Sequence, residues 1–181
     1  MYNLNIEDVV LSIENAPIKN LNGIIYQEYP KFFGKVIRFP KLDSIEFEKL
    51  TSQEHLPRRK ILKTNLFLKE MQILFMNSNI TKSLEKKFNQ KLKFDSIDLW
   101  IDDEGYFLPP HLDNEKIKLH LQIYLGDNNI GTSLYNINKE KIYTFPYKLN
   151  YGYALLNNKY SLHGVETVTN NDRKSIYVRY Q

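Results

Sequence analysis

The spacing of apolar residues changes near the middle of the chain. Up to about residue 90, apolar positions recur mostly three and four residues apart, which is typical of helices that pack on a core. In this half we predict a short helix that begins at Ile6, a strand over residues 23–29 and a helix over residues 42–54. A longer helix is predicted from near Thr64 or Asn65 to about residues 77–79, followed by a short helix over residues 83–89 capped by Thr81.

From residue 94 onward apolar and polar positions alternate, as they do in half-buried strands. We predict eight short strands: residues 96–102, 106–112, 118–125, 132–137, 142–145, 152–156, 161–168 and 174–180. Strands of this number and spacing are typical of a sandwich or jelly roll. The predicted fold is an all-β core with N-terminal helices, in one α+β domain of residues 1–181, where 1–93 form a helical support and 94–181 the core.

The two faces of the predicted strand 118–125 differ sharply. One face is aliphatic, whereas the other carries His120, Gln122 and Tyr124. Because the N-terminal helices need a surface to pack on, we expect them to cover the aliphatic face, which leaves the polar face lining the inside of the roll. A polar interior is unfavourable unless it holds a ligand or a hydrogen-bonded network, so the pattern indicates an internal site.

Composition limits the kind of site. The 181-residue chain has no cysteine, which excludes disulfides, thiolate zinc sites and iron–sulfur clusters, so a metal must be held by nitrogen and oxygen ligands. No apolar run approaches the roughly 20 residues of a membrane helix. The first residues carry Glu7, Asp8 and Glu14 and do not resemble a secretory signal. We therefore expect a cytoplasmic protein without a membrane partner.

The net charge of +4 raises the question of nucleic-acid binding. The lysines are scattered along the chain, and the densest basic cluster is Arg58-Arg59-Lys60. We interpret this cluster as a solvated face rather than as a nucleic-acid patch, so a nucleic-acid partner is not favoured. The positive balance is equally compatible with small anionic substrates.

Three separated sequence elements carry candidate chemistry. In His111-Leu112-Asp113 the two polar side chains project to the same side of a strand and can hold one ion, although a surface histidine beside an acid is the simpler alternative. His163 follows fifty residues after Asp113, and taken alone it could be a satisfied core histidine. Two imidazoles and one carboxylate form the facial triad of non-haem iron(II) sites. His55 lies in a charged stretch and is assigned no role.

Arg173 is the third element, ten residues after His163, with Ser175 on the same face of the last predicted strand. An arginine fork and a hydroxyl are suited to a carboxylate, and the alternative is a surface ion pair.

Taken together, these elements resemble the iron(II)- and 2-oxoglutarate-dependent oxygenases, whose hallmark is His-x-Asp, a distal His, and Arg about ten residues later. His111-Leu112-Asp113-Asn114 followed by Ile123-Tyr124-Leu125 is most similar to the prolyl-hydroxylase branch. The resemblance covers residues 98–181. It implies a double-stranded β-helix, a jelly roll, with residues 94–181 as the catalytic core.

The resemblance also implies cofactors and roles. Iron(II) would be ligated by His111, Asp113 and His163. The distal carboxylate of 2-oxoglutarate would pair with Arg173 and accept a hydrogen bond from Tyr124, with help from Ser175. Reaction with O2 would release succinate and CO2 and hydroxylate a small molecule or a peptide side chain. The residues expected in the substrate wall or behind the metal ligands are Asp98, Trp100, Tyr106, His120, Gln122 and Arg179.

Alternatives remain open from the sequence. His120 could be a buried, satisfied histidine, and Trp100 could be a core residue. A nucleic-acid dealkylase of the same superfamily and a cupin-like metal-binding module that is not an oxygenase are the competing functions. Residues 42–60 and 126–135 are expected to shape the mouth of the site. The sequence names neither the substrate nor the oligomeric state.

Overall fold

The computed structural model describes residues 2, 4–48, 50–53 and 56–181 of the chain. The helices within these residues are α1 (Ile6–Asn15), α2 (Ser44–Glu48), α3 (Leu66–Phe75) and α4 (Ser78–Phe88). The strands of the first half are β1 (Lys19–Leu21), β2 (Ile24–Tyr29), β3 (Thr51–Gln53) and β4 (Leu56–Leu62). Those of the second half are β5 (Phe94–Asp102), β6 (Leu108–His111), β7 (Leu119–Tyr124), β8 (Ser133–Tyr135), β9 (Lys141–Thr144), β10 (Gly152–Leu156), β11 (His163–Val165) and β12 (Arg173–Tyr180).

Side-chain caps explain where the helices begin. The Asn65 side chain accepts from the backbone N–H of Leu68, so α3 opens where the sequence predicted. The prediction for α4 was wrong, because Asn77 caps the helix by accepting from the N–H of Asn79. Thr81 therefore lies inside α4, where its hydroxyl donates to the carbonyl oxygen of Asn77.

The predicted helix over residues 42–54 is also wrong over most of its length. Asp43 and Glu46 each bond the other's backbone N–H, a capping box that starts α2, but the helix ends at Glu48. The chain then enters β3, which pairs with β4. The last predicted position, Glu54, and the unassigned His55 lie outside the described residues.

The strands form two antiparallel sheets. The large sheet has the order β1-β2-β10-β7-β12-β5-β4-β3, and the small sheet has the order β6-β11-β8-β9. All eight strands predicted in the second half are present, as is β2. The described first half also provides β1, β3 and β4, which the sequence did not predict. Together with β2 these strands extend the large sheet at both ends.

The faces of the large sheet confirm the prediction drawn from alternation. Its aliphatic face packs against α1, α3 and α4 in one core that contains Val9, Met71, Leu84, Leu121 and Val178. Its other face meets the small sheet, so His120 and Gln122 are buried between the sheets. The all-β core with N-terminal helices is thus confirmed, and its polar interior lies where a site was expected.

Candidate metal centre and its cavity

β6 and β11 bring two histidines side by side. His111 and His163 are register partners across this strand pair, with ring centroids 4.5 Å apart. The strands can approach because residue 164 is glycine: a Cβ there would lie 2.5 Å from the carbonyl oxygen of Leu108. The local sequence His-Gly therefore supplies both a candidate ligand and the close backbone contact that places it.

Asp113 completes the group from just beyond the end of β6. Its Oδ1 lies 3.6 Å from Nε2 of His163 and 3.9 Å from Nε2 of His111. One ligand atom from each of the three residues lies within 4.8 Å of the other two. The structure therefore brings together all three residues that the sequence proposed as metal ligands.

Backbone carbonyl groups fix the tautomer of the two imidazoles. Nδ1 of His111 lies 3.0 Å from the carbonyl oxygen of Pro109, and Nδ1 of His163 lies 2.9 Å from that of Ser161. A carbonyl oxygen can only accept, so both Nδ1 atoms carry the proton. Each neutral ring then keeps the Nε2 lone pair for a metal, which is how histidine ligands are normally oriented.

The second carboxylate oxygen of Asp113, Oδ2, accepts hydrogen bonds from two buried side chains. Nδ1 of His120 lies 2.6 Å from Oδ2, and the hydroxyl of Tyr177 donates to the same atom over 3.1 Å. His120 is buried and does not line the cavity, so its contact is with the candidate ligand Asp113 rather than with the cavity. Tyr177 was not among the predicted site residues, although alternation placed it on the same face as Arg173 and Ser175.

The protonation states suit metal binding. Burial lowers the pKa of His163 to about 3, which leaves its ring neutral. Burial alone would raise the pKa of Asp113, but His120, with His163 and His111, holds it well below its usual range, so the carboxylate is ionised. Burial and the nearby Asp113 charge raise the pKa of Tyr177, which keeps its hydroxyl protonated as a donor.

A cavity of about 470 Å³ opens onto the three candidate ligands. This volume lies within the usual range of small-molecule sites. Trp100, Gln122, Asp98 and Arg179, which the sequence proposed for the substrate wall or the surroundings of the metal ligands, line this cavity. Asp98 and Arg179 form an ion pair, with Nη2 2.5 Å from Oδ2, whereas Tyr106 is buried outside the cavity lining.

Arg173 lies behind the inner end of the cavity. Its side chain is fully buried: Nη1 donates to Oδ2 of Asp102 over 2.7 Å, and Nε donates to the carbonyl oxygen of Ile130 over 2.9 Å. Its Nη2 lies 3.0 Å from the hydroxyl of Thr132 and 3.4 Å from Oε1 of Gln122. Thr132 and Gln122 line the cavity, whereas Arg173 does not.

The other predicted cofactor residues belong to the same buried network. The hydroxyl of Tyr124 accepts from the backbone N–H of Thr132 over 2.8 Å, and its ring lies 5.2 Å from the guanidinium carbon of Arg173. Ser175 accepts from Nε2 of Gln122 over 2.9 Å. Tyr124 and Ser175 thus contact Arg173 or its partners, but neither lines the cavity.

Asp102 also pairs with a second buried arginine, Arg59, for which the sequence predicted no role in the site. Arg59 of β4 donates Nε to Oδ1 and Nη2 to Oδ2 of Asp102, at 2.6 and 2.9 Å. Interpreting Arg58-Arg59-Lys60 as a solvated face was therefore wrong for its middle residue, which is 3% exposed. Its partner is 43 residues away, which no local signal reveals.

Comparison with known proteins gives a fold. No protein-family model and no curated protein matches the chain. A prolyl 4-hydroxylase structure from Phytophthora capsici is similar at a TM-score of 0.64 and 14% identity, over 100% of this chain and 66% of that one. A structure of the 2OG-Fe(II) oxygenase family from Burkholderia pseudomallei is similar at 0.55 and 14%, over 92% and 72%.

A third similar structure is the alpha-ketoglutarate-dependent epimerase SnoN from nogalamycin biosynthesis, at a TM-score of 0.58 and 12% identity, over 97% of this chain and 80% of that one. None of the helices in the described part of the chain is long and apolar enough to cross a membrane. The resemblance drawn from the sequence motifs thus agrees with structural neighbours, and the chain has the double-stranded β-helix fold that they share.

Proposed function

We propose that the protein is a non-haem iron(II)- and 2-oxoglutarate-dependent oxygenase. The observation that carries this proposal is the convergence of Nε2 of His111 and His163 on Oδ1 of Asp113 at 3.9 and 3.6 Å. The structural likeness to oxygenases of this chemistry supports it.

The donor set fits iron(II). Two neutral imidazoles and one carboxylate are the ligands of the 2-His-1-carboxylate site, and oxygen and nitrogen donors suit this ion. When bound, iron(II) would supply the position at which O2 and the keto acid react, with release of succinate and CO2 and oxidation of a substrate C–H bond. His120 and Tyr177 would hold the Asp113 carboxylate so that Oδ1 faces the metal.

The charges at the inner end of the cavity fit an anionic cosubstrate. Arg59 and Arg173 share the single carboxylate of Asp102, so this buried group carries one uncompensated positive charge. Buried charges are costly unless they are paired. We assign Arg173, with Tyr124 and Ser175 beside it, to the distal carboxylate of 2-oxoglutarate, which would reach them past Thr132 and Gln122.

The reaction that we propose is hydroxylation of a small molecule or a peptide side chain. A cavity of about 470 Å³ is of a size that suits such a substrate. In the basic cluster Arg59 is buried, and the two residues that face outward already have protein partners: Arg58 bonds the carbonyl oxygen of Glu104, and Lys60 pairs with Asp103. A cluster paired in this way offers little to nucleic-acid phosphates, so we do not propose a dealkylase.

The proposal is tested by anaerobic titration of the protein with iron(II) and 2-oxoglutarate, followed by the visible charge-transfer band of the chelate. The His111→Ala and Asp113→Ala variants should lose the band, whereas Glu115→Ala, which removes an exposed carboxylate two residues further on, should keep it. Arg173→Ala should weaken 2-oxoglutarate binding by about 1.5–3 kcal/mol, as expected for a charged hydrogen-bonded partner. A normal band in Asp113→Ala would refute the proposal.

A further inference from the structure

Two neighbouring strands of the large sheet, β4 and β5, form part of the cavity wall opposite the small sheet. Alternate residues of β4 and its continuation, Arg59, Ile61 and Lys63, point to the cavity, as do Asp98 and Trp100 of β5. The proposed function uses Arg59 only as a partner of Asp102 and assigns no ligand to the β4 side chains. They therefore form a surface of the same site that is available to a second ligand.

This wall carries hydrogen-bond donors without partners. The Arg59 guanidinium lies between two rings, 3.8 Å from Trp100 and 4.5 Å from Tyr106. Within the described residues its Nη1 makes no hydrogen bond, and Nε1 of Trp100 is buried without a partner. Both groups can only donate. A guanidinium N–H on a cavity wall that has no protein acceptor is suited to an acceptor on a ligand, such as a carboxylate.

The net charge of the residues that line the cavity also favours a carboxylate ligand. Three cations line it, Arg59, Lys63 and Arg179, against two carboxylates, Asp98 and Asp113. Behind it, Arg173 and Asp102 cancel, and the charges of iron(II) and the 2-oxoglutarate dianion would also cancel. One positive charge remains after metal and cosubstrate are in place. Lys63 is exposed and has no ion-pair partner within the described chain, so it accounts for this excess.

We propose that the cavity takes a small-molecule substrate that bears a carboxylate, and that Arg59 and Lys63 receive this group beside Trp100 on the β4–β5 wall. Arg59 forms the inner part of the contact, and Lys63 attracts the anion at the mouth. This inference rests on the proposed function, because it concerns the substrate of the same site.

Trp100 provides a direct test, because it is the single tryptophan of the chain and lies on the proposed wall. Benzoate and its neutral analogue benzamide are titrated against the tryptophan fluorescence, both with metal-free protein and with protein that holds iron(II) and 2-oxoglutarate anaerobically. Benzoate should give a saturable change and benzamide none at the same concentrations. Equal responses to the two compounds, or no saturable response to either, would overturn the proposal.

Variants separate the wall from the rest of the surface. Lys63→Gln should weaken benzoate binding about two- to fivefold, since a partly exposed charge contributes modestly. Arg59→Lys keeps a cation beside Asp102 but loses the planar fork, so it should weaken binding at least about tenfold. Lys69→Gln, which removes an exposed lysine of α3, should leave benzoate affinity unchanged. Wild-type affinity in both wall variants would refute the site.

The benzoate experiment and the iron chelate experiment can fail separately, so each proposal has its own test. If 2-oxoglutarate displaces benzoate competitively, the wall belongs to the cosubstrate and the proposal fails, even though the iron chelate forms. If benzoate binds as expected but no charge-transfer band appears, the carboxylate site stands and the oxygenase assignment fails instead.

Discussion

His120 donates from Nδ1 to Oδ2 of Asp113 over 2.6 Å, and it does so from the buried face of the strand next to β12. Together with the Tyr177 hydroxyl, 3.1 Å from the same oxygen, it occupies one side of the carboxylate. Only Oδ1 is left to face His111 and His163. The aspartate is thereby oriented before any metal binds, and a carboxylate oriented in this way loses less freedom when it becomes a ligand.

Removing the His120 donor should therefore weaken the metal site. We expect His120→Phe, which keeps a ring of similar size in the core, to lower iron(II) affinity about 10- to 100-fold, as for other residues that orient metal ligands. Tyr177→Phe removes only a hydroxyl and should have a smaller effect. Affinity is measured by competition with an iron(II) chelator, and circular dichroism checks the fold. Wild-type affinity in His120→Phe would mean that the contact does not position Asp113.

Asp102 is expected to be far more important for stability than its neighbour Asp103. Asp102 lies between Arg59 and Arg173 with no exposed surface, whereas Asp103 pairs with the exposed Lys60. Asp102→Asn leaves two buried guanidinium groups without an anion and should reduce the unfolding free energy by about 3–5 kcal/mol.

The matched variant Asp103→Asn should change the unfolding free energy by no more than about 1 kcal/mol, because exposed ion pairs contribute little. Urea unfolding of the two variants beside wild type measures the difference. Similar losses in both would show that the buried charge cluster is not held by Asp102.

The strands of the second half were predictable because each has one face on the helices and one face on the interior. Apolar and polar residues therefore alternate along the sequence of each strand. The grouping of the three candidate metal ligands followed in part for a related reason: His111 and Asp113 are two residues apart and remain on one side. Local pattern was sufficient wherever burial of alternate side chains determined the structure.

β4 could not be predicted in the same way. Its sequence from Leu56 to Leu62 has a proline at the second position followed by three basic residues, which are typical of an exposed turn. Arg59 is buried only because Asp102, on the neighbouring strand, supplies both oxygens for its fork. The Tyr177 contact with Asp113 is equally non-local, joining residues 64 positions apart. Such pairings depend on strand order, which alternation does not reveal.

Gly164 should be intolerant of any side chain, and the effect should reach the metal site. A Cβ at this position would lie 2.5 Å from the carbonyl oxygen of Leu108 and 3.1 Å from the carbonyl carbon of Pro109, both of them rigid backbone. In Gly164→Ala, β11 must move away from β6, which separates His163 from His111. We expect weaker iron(II) binding together with lower stability.

Isothermal titration with iron(II) and thermal unfolding test this expectation. Gly152→Ala offers a comparison, since its Cβ would meet the flexible Ile123 side chain at 3.1 Å and the carbonyl oxygen of Gln122 at 3.2 Å. That variant should disturb metal binding less than Gly164→Ala. The reverse order would contradict the role assigned to the β6–β11 contact.

Glu28 should make stability depend on pH in the acid range. Its carboxylate accepts from Tyr143 and Tyr151 and pairs with Lys19, so it links β2 to β9 and to the start of β10. Burial alone would raise the pKa of Glu28, but Lys19 and the two tyrosine hydroxyls outweigh it, and the pKa lies below its ordinary value of 4.5.

A carboxyl group whose pKa is lower in the folded state stabilises the fold at pH values above its unfolded pKa, and this contribution disappears as the pH falls through the folded pKa. Glu28→Gln should therefore unfold at lower urea concentration than wild type near neutral pH, and the difference should shrink as the pH falls below 4.5. Glu166→Gln, which removes a carboxylate paired with the exposed Lys141, is the control and should shift the midpoint much less. A Glu28→Gln difference that stays constant into strong acid would show that lost packing, rather than the charge, accounts for the effect.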